Sequence, residues 1–178
     1  SEGLYCLNHD GDVLWEKDLG VIYISKYGIG WGYASSPTLY GDRIVLVCDA
    51  PDDPCLIAVD LKTGNEVWRR SRQGDCERSW GTALIHETPS ATQVVVNGWP
   101  WVVSYDLDTG DEIWRIEGGG DNPTPTPFAV DGRIFITNSH GGKSPIIVVN
   151  EHAKGNLTDD AAAAEEGLGW RTDRGGSY

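Results

Sequence analysis

The chain has 178 residues, 39% of them apolar, with 14 Lys and Arg against 27 Asp and Glu and a formal net charge of −13. That balance excludes a nucleic-acid partner, whose phosphates require a basic face, and suits a soluble protein with a neutral or cationic partner. No apolar run is long enough to cross a bilayer, and no signal-peptide pattern stands at Ser1.

The acidic residues are spread over turns rather than massed in a tail, as on a solvated surface. Met is absent and the chain opens inside a repeat, so the sequence reads as a piece of a longer protein with any targeting signal upstream.

In chain order the first elements are two β-rich runs, GLYCLN (3–8) and DVLWEK (12–17). Next come ASSPTLY (34–40), RIVLVCD (43–49), CLIAVDL (55–61) and EVWRR (66–70). A third set follows: GTALIH (81–86), QVVVNGW (93–99), WVVSYDL (101–107) and EIWRIE (112–117). The last is TPFAV (126–130), RIFITN (133–138), IIVVN (146–150) and GLGWRT (167–172).

The final hairpin of each set carries one phrase: CLNHDGDVLW, AVDLKTGNEVW and SYDLDTGDEIW, then a degenerate fourth from IIVVNEHAKG to Trp170. Its tryptophans, Trp15, Trp68, Trp114 and Trp170, recur every 46–56 residues. Such a period predicts stacked units that cannot bury their apolar surface singly. Two strands followed by three sets of four predict an all-β fold, a β-propeller of four-stranded antiparallel blades with about three and a half blades present. The boundaries are a half blade at 1–18 and blades at 33–70, 79–117 and 124–172.

The middle runs, such as Ile44-Val45-Leu46-Val47 and Val94-Val95-Val96, lack alternation, so both faces are expected to be buried between neighbouring blades. In D-x-x-T-G the Asp accepts backbone N–H bonds and the Gly supplies a positive φ. The Trp four residues later is read as a packing wedge between blades, not as a cofactor floor.

Tight turns join strands one to two and three to four. The longer connections therefore gather on the opposite face, where function belongs on loops held by a rigid scaffold. The longest, 20–33, holds Tyr23, Tyr27, Trp31 and Tyr33. Arg78, Trp80, Trp99, Trp101, Asp121, Asn122 and His140 are expected on the same face, and the candidate partner-binding set is Tyr27, Trp31, Tyr33, Arg78, Trp80, Trp99, Asp121, Asn122 and His140. Arg78 and Trp80 suit a cation–π or planar recognition element as well as ordinary packing.

No catalytic set is visible. His9, His86, His140 and His152 are scattered without metal spacing, and Cys6, Cys48, Cys55 and Cys76 show none either. Cys6 reads as a small core residue. Cys48 and Cys55 bracket DAPDDP and would close a disulfide if the strand ends meet, although free buried thiols are the commoner state of strand cysteines. Asp49, Asp52 and Asp53, like Asp121 and Asn122, offer oxygen ligands, but carboxylates at turns mostly cap or face solvent. In the interruption at 155–169, Thr158 or Asp159 is expected to cap a short Ala-rich helix ending near Gly167, a surface excursion on the tight-turn face. Asn156-Leu157-Thr158 matches a glycosylation sequon.

The A-x-D-x-x-T-G-x-x-x-W phrase, the blade openings Ser36-Pro37 and Thr126-Pro127, and the Trp spacing together resemble the pyrroloquinoline-quinone-like (PQQ-like) β-propeller repeat proteins. The resemblance covers nearly the whole chain. It implies a bacterial protein, periplasmic or secreted, and a fragment of a seven- or eight-bladed ring. Relatives include quinoprotein alcohol dehydrogenases and the lipoprotein that scaffolds outer-membrane β-barrel assembly. The dehydrogenases hold their quinone against a disulfide of adjacent cysteines, with a Ca²⁺ beside a catalytic Asp. No two cysteines are adjacent here, so the resemblance does not carry PQQ or Ca²⁺ to this chain. The expected function is a non-catalytic scaffold that binds a protein or small-molecule ligand through the long-loop face. The alternatives are part of a quinoprotein dehydrogenase or a sensor propeller of a multidomain protein. Open blade edges at both ends are expected to promote association.

Overall fold

Apolar runs without alternation form the middle strands of separate antiparallel sheets. The computed structural model describes residues 3–20, 34–49, 53–118, 120–140 and 143–175, the side chains of Glu77 and Arg78 excepted. A two-stranded half blade, β1 (Gly3–Leu7) and β2 (Val13–Asp18), is followed by the sheet β3 (Thr38–Tyr40), β4 (Arg43–Cys48), β5 (Cys55–Asp60) and β6 (Glu66–Ser71), paired in that order. A short strand, β7 (Cys76–Arg78), precedes the third sheet of β8 (Leu84–Glu87), β9 (Thr92–Val96), β10 (Trp99–Asp106) and β11 (Glu112–Glu117). The last blade runs β12 (Phe128–Val130), β13 (Arg133–Thr137) and β14 (Ile146–Asn150). After β15 (Gly155–Asn156) and α1 (Ala161–Gly167) it closes with β16 (Leu168–Thr172). The fold is a partial, unclosed β-propeller.

Successive residues of each middle strand feed two different cores, because side chains alternate across the sheet. Ile44, Leu46, Ile57 and Val59 pack toward Leu4, Trp15 and Leu19 of the half blade and its exit. Val45, Val47, Leu56 and Ala58 meet Val94, Val96, Val103 and Tyr105 of the third blade. Val95, Val102, Trp114 and Ile116 in turn meet Ile134, Ile136, Ile147 and Val149 of the fourth. This is why the sequence shows unbroken apolar runs.

The repeated phrase builds the joint between blades. The Asp60 Oδ1 accepts from the Lys62 and Thr63 backbone N–H groups at 3.1 and 2.8 Å. Asp106 does the same for Asp108 and Thr109, both at 2.9 Å. Gly64 and Gly110 then adopt φ of 70° and 72°, a left-handed conformation that side chains resist. Over each lies the indole of the preceding blade: a Cβ on Gly64 would stand 2.5 Å from Trp15, and one on Gly110 2.9 Å from Trp68. The indole N–H groups donate to carbonyls of the same turns, Trp15 to Leu61 at 3.1 Å and Trp68 to Leu107 at 2.8 Å. Glycine is therefore required twice over, for φ and for the ring above it.

The third joint departs from this pattern. The fourth turn runs from Asn150 to Gly155, one residue longer than Asp106 to Gly110. Buried Trp114 donates instead to the Gln93 Oε1 at 3.0 Å, and the Gln93 amide donates to the Glu151 carbonyl at 2.5 Å. Ser104 completes the set with a 2.9 Å bond to the Gln93 Oε1.

The interruption is also more than a surface excursion. β15 pairs in parallel with β11, and Leu157 and Ala153 are buried among Trp114, Ile116 and Ile147. The segment thus covers the outer edge of the third blade. The helix cap is Asp160, not Thr158 or Asp159, its carboxylate accepting from Ala162 and Ala163. Asn156, within the sequon, instead orders its own turn by accepting from the Thr158 and Asp159 N–H groups at 2.9 and 3.1 Å. Cys6 is only half-buried, not a core residue, and all four cysteines are free.

Candidate functional site: the long-loop face

Tight turns close 41–42, 61–65, 88–91, 107–111 and 131–132, so the connections at 49–54, 72–83, 97–98, 118–127 and 138–145 leave from the opposite ends of the strands. Residues 21–33, with Tyr23, Tyr27, Trp31 and Tyr33, lie outside the described residues.

Two buried polar groups hold this face. Arg72 is fully buried, and its Nε and Nη2 donate to both Asp49 carboxylate oxygens at 2.8 and 3.3 Å. Its Nη1 donates to the Tyr105 hydroxyl at 2.6 Å, and the Cys76 thiol donates to the Asp49 Oδ2 at 3.0 Å. The group ties the second blade and its exit to the third blade. Burial alone would push the Arg72 guanidinium down, but the Asp49 charge, with Tyr105 and Cys76, holds it well above its ordinary value. Burial, then Asp49, pushes the Cys76 thiol up to about 12, and burial raises Tyr105 as well. The cation is therefore fixed and paired, with two neutral donors beside it.

The second group ties the third blade to the fourth. Asn97 and Asn138 exchange side-chain amide bonds at 3.1 and 3.0 Å, both fully buried. Asn97 also donates to the Pro125 and Thr137 carbonyls, at 2.9 and 3.2 Å, while Ser79 donates to the Asn97 carbonyl at 2.7 Å. Every polar atom so engaged avoids the cost of unpaired burial, and the loops gain one arrangement.

The described members of the predicted set fall in two places. Asp121 and His140 meet, Oδ1 to Nδ1 at 2.5 Å, with His140 exposed. Half-buried Trp80 is drawn to the same loop, its backbone N–H and that of Gly81 donating to the Pro123 carbonyl at 3.0 and 3.1 Å. Asn122 is half-buried next to them. Trp99 stands apart, opposite Arg78 in the β7–β10 ladder. The strand ends differ from the runs 93–99 and 101–107: β9 stops at Val96 and β10 begins at Trp99, so Asn97-Gly98 makes the connection and both Trp99 and Trp101 belong to β10. Trp101 packs into the core between the second and third blades, with the Arg115 guanidinium over its ring at 5.4 Å.

The sequence model of a PQQ-repeat family described as outer membrane protein assembly factor BamB matches residues 1–174. The chain belongs to this family. Among curated proteins none matches it. BamB from Moraxella catarrhalis is similar in structure, with a TM-score of 0.54 at 12% identity over 97% of this chain and 55% of that one. The quinohemoprotein alcohol dehydrogenase from Comamonas testosteroni gives 0.57 at 19% identity over 79% of this chain and 21% of its own. A second such dehydrogenase, from Pseudomonas putida, gives 0.58 at 16% over 79% and 20%. These likenesses establish the fold, and the chain spans about a fifth of the dehydrogenases and just over half of the Moraxella protein.

Two features of this member of the BamB family bear on a quinone site. Its cysteines are never sequence neighbours, and among the described residues no group of three or more His, Cys, Asp or Glu side chains is placed to hold a metal ion.

The buried polar groups were missed in the sequence. A signal was present: Asp49, Asn97 and Asn138 are each the polar residue that ends the apolar second strand of a blade.

Proposed function

We propose that the chain is a non-catalytic β-propeller binding module of a bacterial extracytoplasmic protein, engaging a protein partner or ligand through its long-loop face. The observation that carries this reading is the contrast between that face's fixed, buried polar groups and its partly exposed loop residues. The Asp49–Arg72 and Asn97–Asn138 groups are buried and fully paired, while on the same face His140 is exposed and Trp80, Trp99 and Asp121 are half-buried. A preorganised face of this kind binds at a low ordering cost. Family membership supports both the scaffold role and the setting. In the described residues no helix is long and apolar enough to cross a membrane.

The test is co-purification from the native host with the full-length protein. Trp80→Ala and Trp31→Ala, alone and together, should lower partner recovery at least tenfold with an unchanged melting temperature. Unaltered recovery by the folded double variant would count against the face. Quinone-dependent alcohol oxidation by the full-length protein would instead favour the dehydrogenase alternative.

A further inference from the structure

Cys48 and Cys55 occupy opposed positions at the open end of the β4–β5 hairpin, in direct antiparallel register. Such pairs hold their Cα atoms about 4.5–5.5 Å apart, inside the roughly 4.4–6.8 Å that a disulfide spans. Both side chains point into the core facing the half blade, so their thiols lie side by side on one face of the sheet. The Cys55 sulfur also receives the Arg69 Nη1 at 3.1 Å, with Arg69 braced by Glu66 at 3.1 and 2.9 Å. Among the described residues nothing comparable serves the other cysteines: Cys6 lies on β1 with no second cysteine opposite it, and the Cys76 thiol is already donated to Asp49.

We infer that Cys48 and Cys55 are a reactive dithiol that closes, on exposure to a disulfide oxidant, into a cross-strand disulfide bracketing loop 49–54. Cys55 enters first. The Cys48 thiol and the Arg69 cation both favour its thiolate, which lowers it against the opposing effect of burial, while Cys48 is held protonated. The Cys55 thiolate attacks one sulfur of the oxidant and expels the other as a thiolate. Cys48 then loses its proton and attacks the Cys55 Sγ, expelling the second thiolate. Two electrons pass to the oxidant, and the two protein protons finish on its released thiols. Because both sulfurs are buried, closure waits on a local opening of the hairpin end.

The folded full chain is incubated with oxidised glutathione, quenched in acid, denatured and alkylated, and its thiols are counted by mass spectrometry. Two of four should be lost within a monomer, recovered as one peptide pair linking Cys48 to Cys55, with Cys6 and Cys76 alkylated. Cys48→Ala should instead trap glutathione on Cys55, at least tenfold faster than Cys55→Ala traps it on Cys48. Four alkylatable thiols after prolonged oxidation, or loss at Cys6 or Cys76, would overturn the assignment. Equal trapping by the two variants would overturn the order of attack.

Discussion

Arg72 combines full burial with a paired charge, so single and double substitutions there have different expected costs. Arg72→Met leaves the Asp49 carboxylate buried and unmatched, which should lower unfolding free energy by about 3–5 kcal/mol in urea titrations. Removing both charges, Arg72→Met with Asp49→Leu, should recover most of that loss, since the pair's attraction largely offsets its own desolvation. Cys76 gives a pH signature in the same cluster. Its folded value near 12 lies above the ordinary 9.0, so its contribution is intact below about pH 9 and is lost as pH rises toward 12. Urea midpoints should therefore fall between about pH 8 and about pH 10.5. Cys76→Ala should reduce that slope, whereas an identical slope in the variant would remove Cys76 as its source. None of this was legible from residue types, because Asp49, Arg72, Cys76 and Tyr105 come together only once two blades stack. The Asp121–His140 contact depends likewise on two separate loops.

At the scale of the element, the turn and its Trp act together. Gly110→Ala must hold Ala at positive φ and push a methyl into Trp68, costing roughly 2–4 kcal/mol. Gly11→Ala, at φ 91° but with nothing within 4 Å of the added carbon, should cost about 1–2 kcal/mol, the backbone part alone. Comparing the two by chemical denaturation separates conformational strain from the joint itself. Equal losses would mean that the overlying indole adds nothing. The hairpins, their Asp-capped turns and the strand order were readable because period, turn chemistry and apolar runs all agree. β7 and β15 were not, having three and two residues and no periodicity of their own; their places are set by β10 and β11. Gln93 was unreadable for a related reason: its role follows from the lengthened turn from Asn150 to Gly155, whose Glu151 carbonyl accepts its amide from 58 positions downstream.

Over the whole molecule the two end faces are open. The half blade exposes Tyr5, Leu7, Val13 and Leu14, and the fourth blade exposes Phe128 at 53%, Val130 at 49% and Trp170 at 44%. Phe128 stacks on Phe135 at 5.0 Å, and Phe135, Val148 and Trp170 continue the row across the sheet. Residues 1–178 on their own should self-associate, with a sedimentation coefficient that rises with concentration, and Trp170→Lys with Phe128→Glu should suppress it. A monodisperse, cooperatively melting monomer would contradict this.

The ends also differ in kind. One offers an indole without a turn beneath it, and the other offers the Gly11 turn without an indole above. Contacts of that sort join unlike surfaces and grow into rings or fibres, not two-fold pairs. The same asymmetry has a meaning for how such a chain lengthens. Each intact phrase, ten or eleven residues long, encodes both a plug and a socket, so a duplicated unit arrives already compatible with its parent on either side. Blade number can then drift by whole units while the joint stays constant. Only a change inside the phrase, such as the lengthened fourth turn, demands a fitted adaptor like Gln93.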